Sequence, residues 1–253
     1  MDFAFLSDTM GQLLAVTPLT VALWFWCILI GGMLAIFITW ARVSRVPVVT
    51  HLAGAYIFVF RGSPLLIQMY LLYYGVSQFS EVRHSIAWPI LRDSFNSAVI
   101  SLALCTAGYT AEIFRGGLQA VPGREIEAGR AIGMSRFTLF RRIIAPIAMR
   151  QALPAYSTEI VLMMKSTALA SLVTVWEVTG VASRIITHTY RTFEVFICAA
   201  LIYLVLNFLI IRLLGFVEYL VSPHLRARPD TKIVRGAPPG HASGPIEMPE
   251  VPR

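Results

Sequence analysis

Charged residues are scarce in this sequence: Asp, Glu, Lys and Arg make up 14% of its 253 residues, whereas they make up about one quarter of a typical soluble protein. Between Thr17 and Trp40 there is no charged residue at all, and a run of this length is long enough to cross a lipid bilayer. The run also lacks the polar stripe that a helix in a soluble core would carry. These absences exclude an ordinary soluble domain and indicate a membrane protein.

Basic residues are missing from the first ten positions, which hold two aspartates. Because a secretory signal peptide begins with a basic stretch, we expect Thr17–Trp40 to be a retained span. Cysteine is also rare, and each of the three cysteines lies inside an apolar run: Cys27, Cys105 and Cys198. This pattern indicates buried thiols. It predicts neither a disulfide nor a metal site, and the five scattered histidines are not assigned to a metal either.

Four further apolar segments each predict a membrane span. They are Pro64–Phe79, extended on its N-terminal side, Phe95–Ile113, Ala155–Val175 and Phe193–Leu214. We therefore expect an all-α membrane protein with five transmembrane helices, in a domain of residues 1–223. Residues 224–253 are rich in Pro and Gly and predict a disordered cytoplasmic tail.

Basic residues are distributed unequally between the predicted loops. If the N-terminus lies outside, sixteen Lys and Arg residues fall in inner segments and four fall in outer loops. The positive-inside rule then places the N-terminus outside and the C-terminus in the cytoplasm. The net charge of +7 is explained by this topology, so we expect the lipid membrane and not nucleic acid as a partner.

A basic, amphipathic stretch at about residues 120–154, the central segment, is the longest inner loop in this topology. Gly133 is placed to end a short helix in a left-handed conformation, and Ser135 to cap a second helix. Pro146 and Pro154 are expected to limit or kink that second helix. The pattern fits two interpretations: a helix lying on anionic lipid headgroups, or a docking element for a cytoplasmic partner.

The spacing inside the central segment resembles the EAA motif, E-A-A-x3-G-x9-I-x-L-P, of the membrane permease subunits of ABC importers. Five residues match the motif in type and spacing: Glu127, Ala128, Gly133, Ile143 and Pro146. Two positions depart from it, since Gly129 replaces the second alanine and Ala145 replaces leucine. Both departures remove bulk and keep the spacing. Gly129 is expected to loosen the first helix, because glycine costs ~1 kcal/mol relative to alanine inside a helix.

The resemblance extends from about Val16 to Pro223. The stretches "FRGSPLLIQ" (Phe60–Gln68) and "GYTAEIFRGGLQAVPGREIEAGRAIG" (Gly108–Gly133) resemble the polar amino-acid branch of these permeases. The stretch "ALPAYSTEIVLMMKSTAL" (Ala152–Leu169) is most similar to the M-type permease subunit of the histidine, basic-amino-acid and opine group. The resemblance implies the type I ABC importer permease fold, in a multi-pass subunit of the bacterial cytoplasmic (inner) membrane.

The resemblance also implies partners and a division of labour. A second permease subunit would complete a heterodimer or a homodimer, two ATPase subunits would bind from the cytoplasm, and a periplasmic or surface-tethered binding protein would deliver a polar substrate, a basic amino acid or an opine. The chain would be a transport subunit and not an enzyme. It contains no G-x-x-x-x-G-K-[ST] loop, so we expect it to bind no cofactor and the partner ATPase to use ATP and Mg.

In the family, a short helix around the glycine of the EAA motif fits a groove on the ATPase. By this resemblance, the expected ATPase-coupling residues are Glu127, Ala128, Gly129, Gly133, Met134, Ser135, Arg136, Ile143 and Pro146.

Lys165 is the sole lysine in a predicted span. A charge at the bilayer centre costs ~2.5–3.5 kcal/mol on insertion scales and normally faces protein or a water-filled path. Lys165 is therefore expected to bind a substrate carboxylate. The alternatives are that it pairs with Glu159 or with an acidic residue of the partner subunit, or that its side chain extends to the membrane interface. Glu159 in turn either selects a cationic substrate or pairs with an arginine. Four more polar residues are candidates for the path: Ser166, Thr167, Gln68 and Tyr73.

A second functional class, a self-sufficient secondary carrier or channel for a small polar solute, is the alternative. The small number of spans and the absence of an inverted repeat with broken helices count against it.

Glu112 and Arg115, three residues apart on one helix, are expected to form a local ion pair.

Overall fold

The computed structural model describes residues 3–221, and every regular element in this range is helical. The predicted tail at residues 224–253 lies outside the described residues. In chain order the helices are α1 (Phe3–Arg42), α2 (Pro47–Gly62), α3 (Leu65–Tyr70), α4 (Ser80–Arg83), α5 (Trp88–Leu91), α6 (Ser94–Gln119), α7 (Gly123–Ala131), α8 (Arg136–Leu139), α9 (Ala145–Ser166), α10 (Val178–Thr189) and α11 (Thr192–Val221).

Three of these helices, α1, α6 and α11, are each long and apolar enough to cross a membrane. They contain 40, 26 and 30 residues, and about 20 residues suffice for a span. α1 begins at Phe3, well before the predicted boundary at Thr17. The extra N-terminal turns are helical because they find a partner: Phe5, Leu6 and Met10 pack against the cluster formed by α10 and α11.

The second predicted span is a broken helix pair. α2 and the segment Leu65–Gln78 are bent by 104° relative to each other, with the break at Ser63 and Pro64. Ser63 has an extended backbone, with φ −103° and ψ 146°, as proline requires of the residue before it. α3 continues into a π-helical turn at Leu71–Gly75, so Pro64 begins a new helix and does not extend α2.

The fourth predicted span is also broken. The segment Arg136–Val173 and α10 are bent by 48°, and Thr174 between them has a positive φ of 66°. The described residues thus contain three spans, or five if each bent pair counts as one span. The predicted total of five spans is compatible with the structure. The predicted segments at Pro64–Phe79 and Ala155–Val175 each correspond to one arm of a bent pair, Leu65–Gln78 and the end of Arg136–Val173, and the bends lie at their edges.

Neither proline of the central segment ends its helix. Pro146 lies in the first turn of α9 and Pro154 lies inside it. A π-helical turn at Phe140–Ile144 directly precedes α9. Because proline cannot donate a backbone hydrogen bond and its ring crowds the preceding turn, a wider turn there lets the chain remain helical past Pro146. Of the two expected outcomes, that the prolines limit the helix is wrong, whereas the π-helical turn before Pro146 is a local distortion of the kind that accompanies kinks.

α6 lies between α1 and α9 at the centre of the bundle. A Cβ atom on Gly31 of α1 would lie 2.9 Å from the backbone oxygen of Ala103 in α6. Similarly, a Cβ atom on Gly117 of α6 would lie 2.6 Å from the backbone oxygen of Ala148 in α9. Small residues at both contacts let the helix backbones approach closely, as is common in membrane helix packing. This packing places one buried face of α9 directly against α6.

Candidate functional site

The central segment forms a helix, a glycine turn and a second helix, as its sequence predicts. α7 ends at Ala131, and Gly133 follows with a positive φ of 77°. Ser135 then caps the second helix, because its Oγ atom accepts a hydrogen bond of 3.3 Å from the Thr138 backbone N–H. Both predicted turn residues therefore adopt the local geometry that their chemistry favours.

Gly129 holds the two helices of the central segment close together. A Cβ atom at this position would overlap Leu139 Cδ1, would lie 2.9 Å from Ile143 Cδ1 and would lie 3.5 Å from the Met134 sulfur. Gly129 is also the buried residue of α7. The missing methyl group thus has a packing reason, which the sequence interpretation of a merely loosened helix did not include.

The surface around the glycine turn is exposed and of mixed character. Glu127, Ala128 and Arg136 are exposed, and two large apolar side chains stand beside them, with Ile132 73% and Phe137 72% exposed. Of the other expected coupling residues, Gly133 and Ser135 are exposed, and three are partly buried: Met134, Ile143 and Pro146. Apolar and charged side chains are therefore exposed together on the surface around the glycine turn.

A second open surface runs along α9. Five of its exposed residues recur at steps of four and three and form one stripe, the α9 stripe: Gln151, Ala155, Thr158, Leu162 and Lys165. Polar side chains recur every seventh residue in it. By contrast, the exposed side chains between Phe25 and Trp40 of α1 and between Phe193 and Ile211 of α11 are all apolar, as lipid-facing helices require. The α9 stripe is therefore poorly suited to lipid.

Lys165 and Glu159 lie in different environments and do not pair. Lys165 is exposed, whereas Glu159 is only 6% exposed and accepts a hydrogen bond of 2.9 Å from Thr106 Oγ1 of α6. Within residues 3–221, neither residue forms an ion pair. The described part of the chain therefore contains neither a Lys165–Glu159 pair nor a Glu159–arginine pair within 4 Å. Pairing of Lys165 with a partner acid and its extension to the membrane interface stay predictions.

The remaining path candidates form structural hydrogen bonds. Gln68 Nε2 donates to the backbone oxygens of Phe60 at 2.9 Å and Ser63 at 3.0 Å, so it bridges the break between α2 and α3. Tyr73 Oη lies 3.2 Å from Thr174 Oγ1, which joins the two broken spans.

Thr167 and Ser166 bond to their own helix. The fully buried Thr167 donates to the Met164 oxygen at 2.7 Å, and Ser166 donates to the Leu162 oxygen at 3.0 Å. These side chains shape the breaks and the end of α9, and the structure does not bring them together around one cavity.

The predicted ion pair between Glu112 and Arg115 is present. Arg115 Nη2 lies 2.6 Å from Glu112 Oε2, and Arg42 Nε at the end of α1 approaches Glu112 Oε1 at 3.8 Å. The second contact joins α1 to α6 and was not predicted, because the two residues are far apart in the sequence.

Glu177 is a buried carboxylate that the sequence analysis missed. It is fully buried, accepts a hydrogen bond of 2.9 Å from the Gly180 backbone N–H and another of 2.7 Å from Tyr203 Oη. It therefore caps α10 at the break and links it to α11. Glutamate is not among the residues that N-cap positions usually prefer, so no local sequence rule predicts this cap.

Comparisons with known proteins place this geometry in a family. Residues 13–222 match the family model described as "Binding-protein-dependent transport system inner membrane component". The octopine transport system permease protein OccM of Rhizobium radiobacter is 51% identical over 225 residues, which cover 89% of this chain and 92% of that protein. The nopaline transport system permease protein NocM of Agrobacterium fabrum is 46% identical over 229 residues, which cover 90% and 95%.

A solved structure agrees with these relatives. The protein described as "Crystal structure of an amino acid ABC transporter with histidines" matches with a TM-score of 0.76 and 32% sequence identity, over 86% of this chain and 98% of that one.

Proposed function

The chain belongs to the binding-protein-dependent transport system inner membrane components, and from this premise we propose that it translocates an opine of the octopine and nopaline class or a basic amino acid. It is an ABC importer permease, and this family membership argues against the alternative of a self-sufficient carrier. The names of the two opine relatives support the substrate class. Octopine and nopaline are both conjugates of arginine that carry a guanidinium group and additional carboxylates.

The α9 stripe is the observation that carries this proposal. A face with Gln151, Thr158 and Lys165 in one row is costly in lipid, and polar groups at membrane depth normally face protein or a water-filled cavity. We infer that a second permease subunit, identical or related, covers this face and that the substrate path runs along it. A binding protein on the outer side delivers the substrate to that path.

Lys165 and Glu159 supply opposite charges along this path. They are six residues apart, or about 9 Å along the helix axis at 1.5 Å per residue. The exposed Lys165 is placed to bind a substrate carboxylate directly. The buried Glu159 forms no ion pair within 4 Å among the described residues, so when it is ionised it attracts a nearby guanidinium group in a medium of low dielectric.

The central segment is proposed to transmit the motion of the ATPase. Its two helices are held together by the Gly129 contacts, so they can move as one rigid unit. The exposed Ile132 and Phe137 offer apolar anchors on either side of the glycine turn. A rigid unit that follows closure of two ATPase subunits would tilt α6 and α9, which are connected to it. ATP and Mg are used in the ATPase subunits.

The orientation follows from the same proposal. With the central segment in the cytoplasm, α6 enters from the outer side, α9 returns to it and the N-terminus of α1 lies outside. The membrane is the inner membrane of a bacterium, in agreement with the description of the family.

The substrate class is tested by uptake in cells that express the complete importer and lack their own opine and basic amino-acid systems. Labelled octopine or arginine should accumulate only when this chain is present, whereas labelled leucine should not. Assembly of the complex at the membrane is checked in the same cells. An assembled complex that takes up neither an opine nor a basic amino acid would overturn the proposed substrate class.

A further inference from the structure

Two arginine side chains contact one carboxylate, and a third arginine lies nearby, at the end of the bundle that leads into the central segment. Arg115 lies 2.6 Å and Arg42 3.8 Å from the two oxygens of Glu112. Arg61 at the end of α2 has no carboxylate within 4 Å among the described residues, and its guanidinium lies 5.0 Å from the centre of the Tyr109 ring. The cluster therefore has an excess of two positive charges.

A cavity opens beside this cluster. It has a volume of about 460 Å³, and the residues that define it as the arginine cavity are Arg42, Arg61, Tyr109, Glu112, Ile57 and Phe58. Arg42 Nε is shielded from solvent and has no hydrogen-bond partner among the described residues. Its distance of 3.8 Å to Glu112 Oε1 is too long for a hydrogen bond, and a buried donor without an acceptor is costly.

An apolar side chain lies beside the charges. Phe58 lines the cavity, is 79% exposed and precedes Arg61 by three residues on α2, so the two side chains lie on neighbouring faces of one helix. An arginine pair beside an exposed apolar surface is the combination that a lipid headgroup and its acyl chain require.

We propose that the arginine cavity binds the phosphate of an anionic phospholipid. The guanidinium groups of Arg42 and Arg61 hold the phosphate oxygens, as arginine does with its planar set of donors, and an acyl chain lies along Phe58. Bound there, the lipid supplies the acceptor that Arg42 Nε lacks. It also fixes the end of α1 against α2 and α6, directly before the central segment.

Free phosphate has the same headgroup chemistry but makes no use of the exposed Phe58 side chain. The lipid is therefore the favoured source, and the two sources are separable by experiment. A second explanation for lipid binding is a general attraction of any basic surface to anionic lipid, and the experiment must distinguish it from binding in the arginine cavity. Arg45 allows this, because it is exposed, lies in the connection between α1 and α2, and does not line the cavity.

The test is native mass spectrometry of the full chain purified with its importer partners. Phosphatidylglycerol, phosphatidylcholine or inorganic phosphate is added in separate samples. The wild-type complex should retain phosphatidylglycerol and not phosphatidylcholine or inorganic phosphate. Arg61→Gln and Arg42→Gln should each lower phosphatidylglycerol retention by about tenfold, since each removes a charged hydrogen bond, and Arg45→Gln should leave it unchanged.

Arg61 makes no ion pair with the described residues, so Arg61→Gln tests the site even if Arg42→Gln fails to assemble. If Arg61→Gln and Arg45→Gln lower phosphatidylglycerol retention equally, general surface charge explains the binding and the proposal is overturned. Full retention in Arg61→Gln, or saturation of the site by inorganic phosphate in place of lipid, would overturn it as well.

Discussion

Gly129 of α7 lies against Leu139 of α8 so closely that a Cβ atom on Gly129 would overlap Leu139 Cδ1. This contact sets the distance between the two helices of the central segment, and it gives a structural reason for the glycine at a position where the EAA motif usually has alanine. It also makes the geometry of the segment sensitive to side-chain size at one position.

Gly129→Leu should disrupt the central segment without affecting the spans. Overpacking of a close contact costs about 1–3 kcal/mol, so retention of the ATPase on the purified complex should fall about fivefold or more. Gly116→Leu is the matched control, because a Cβ on Gly116 has no neighbour within 4 Å. Equal ATPase retention in the two variants would show that the Gly129 contact does not matter for docking.

Gly133 provides a second test of the segment through its backbone. Because its φ is +77°, any side chain strains the turn, by ~1–2 kcal/mol for an ordinary residue and by less for asparagine. Gly133→Ala should therefore reduce transport for each ATP hydrolysed more than Gly133→Asn does.

Gly133→Trp tests the surface when it is compared with Gly133→Ala, because both strain the backbone at φ +77° and only the tryptophan adds a ring in the open space around Gly133. An effect beyond that of Gly133→Ala therefore comes from contact of the ring with a docked partner. This variant should uncouple ATP hydrolysis from transport or prevent assembly, while the spans still insert. Normal assembly and transport in this variant would contradict the docking role and favour the alternative that the central segment lies on lipid headgroups.

Lys165→Met should raise the substrate concentration needed for half-maximal uptake by about tenfold or more, because a charge-assisted hydrogen bond to a substrate carboxylate is lost. Lys165→Arg keeps the charge and should retain most of the uptake. Initial rates over a range of octopine or arginine concentrations separate affinity from maximal rate. If Lys165→Met leaves both unchanged, Lys165 has no role in binding substrate.

Tyr203→Phe should weaken the break between α9 and α10. It removes the hydroxyl that donates to Glu177 Oε2 at 2.7 Å, and a buried carboxylate oxygen without a donor costs ~1–3 kcal/mol. A Tm lower by roughly 2–4 °C per kcal/mol is expected in detergent. Tyr190→Phe is the control, since Tyr190 is exposed; the same Tm in both variants would contradict the proposed contribution of the Tyr203–Glu177 bond.

Local features of this protein could be predicted from its sequence because neighbouring residues determine them. Gly133 adopts a left-handed turn, Ser135 caps a helix and Glu112 pairs with Arg115, and each follows from rules that act over a few residues. The positions of the membrane helices could be predicted from the apolar segments for the same reason, because hydropathy is a local property of the sequence.

Contacts between distant parts of the chain could not be predicted in this way. The bond of Thr106 to Glu159 joins residues 53 positions apart, and neither of the two interpretations of Glu159 from the sequence included it. The early start of α1 at Phe3 depends on packing against α10 and α11. The break after α2 is visible in Gly62, Ser63 and Pro64, yet its bend of 104° depends on packing that a hydropathy pattern does not contain.

Reconstitution into proteoliposomes tests the central claim most directly. Uptake of labelled octopine or arginine is measured for the chain with a second permease subunit, the ATPase subunits and the binding protein, and for the chain alone under an ion gradient. We predict uptake that requires ATP and all of these partners, and none by the chain alone. Uptake by the chain alone, driven by an ion gradient and independent of ATP, would contradict the account.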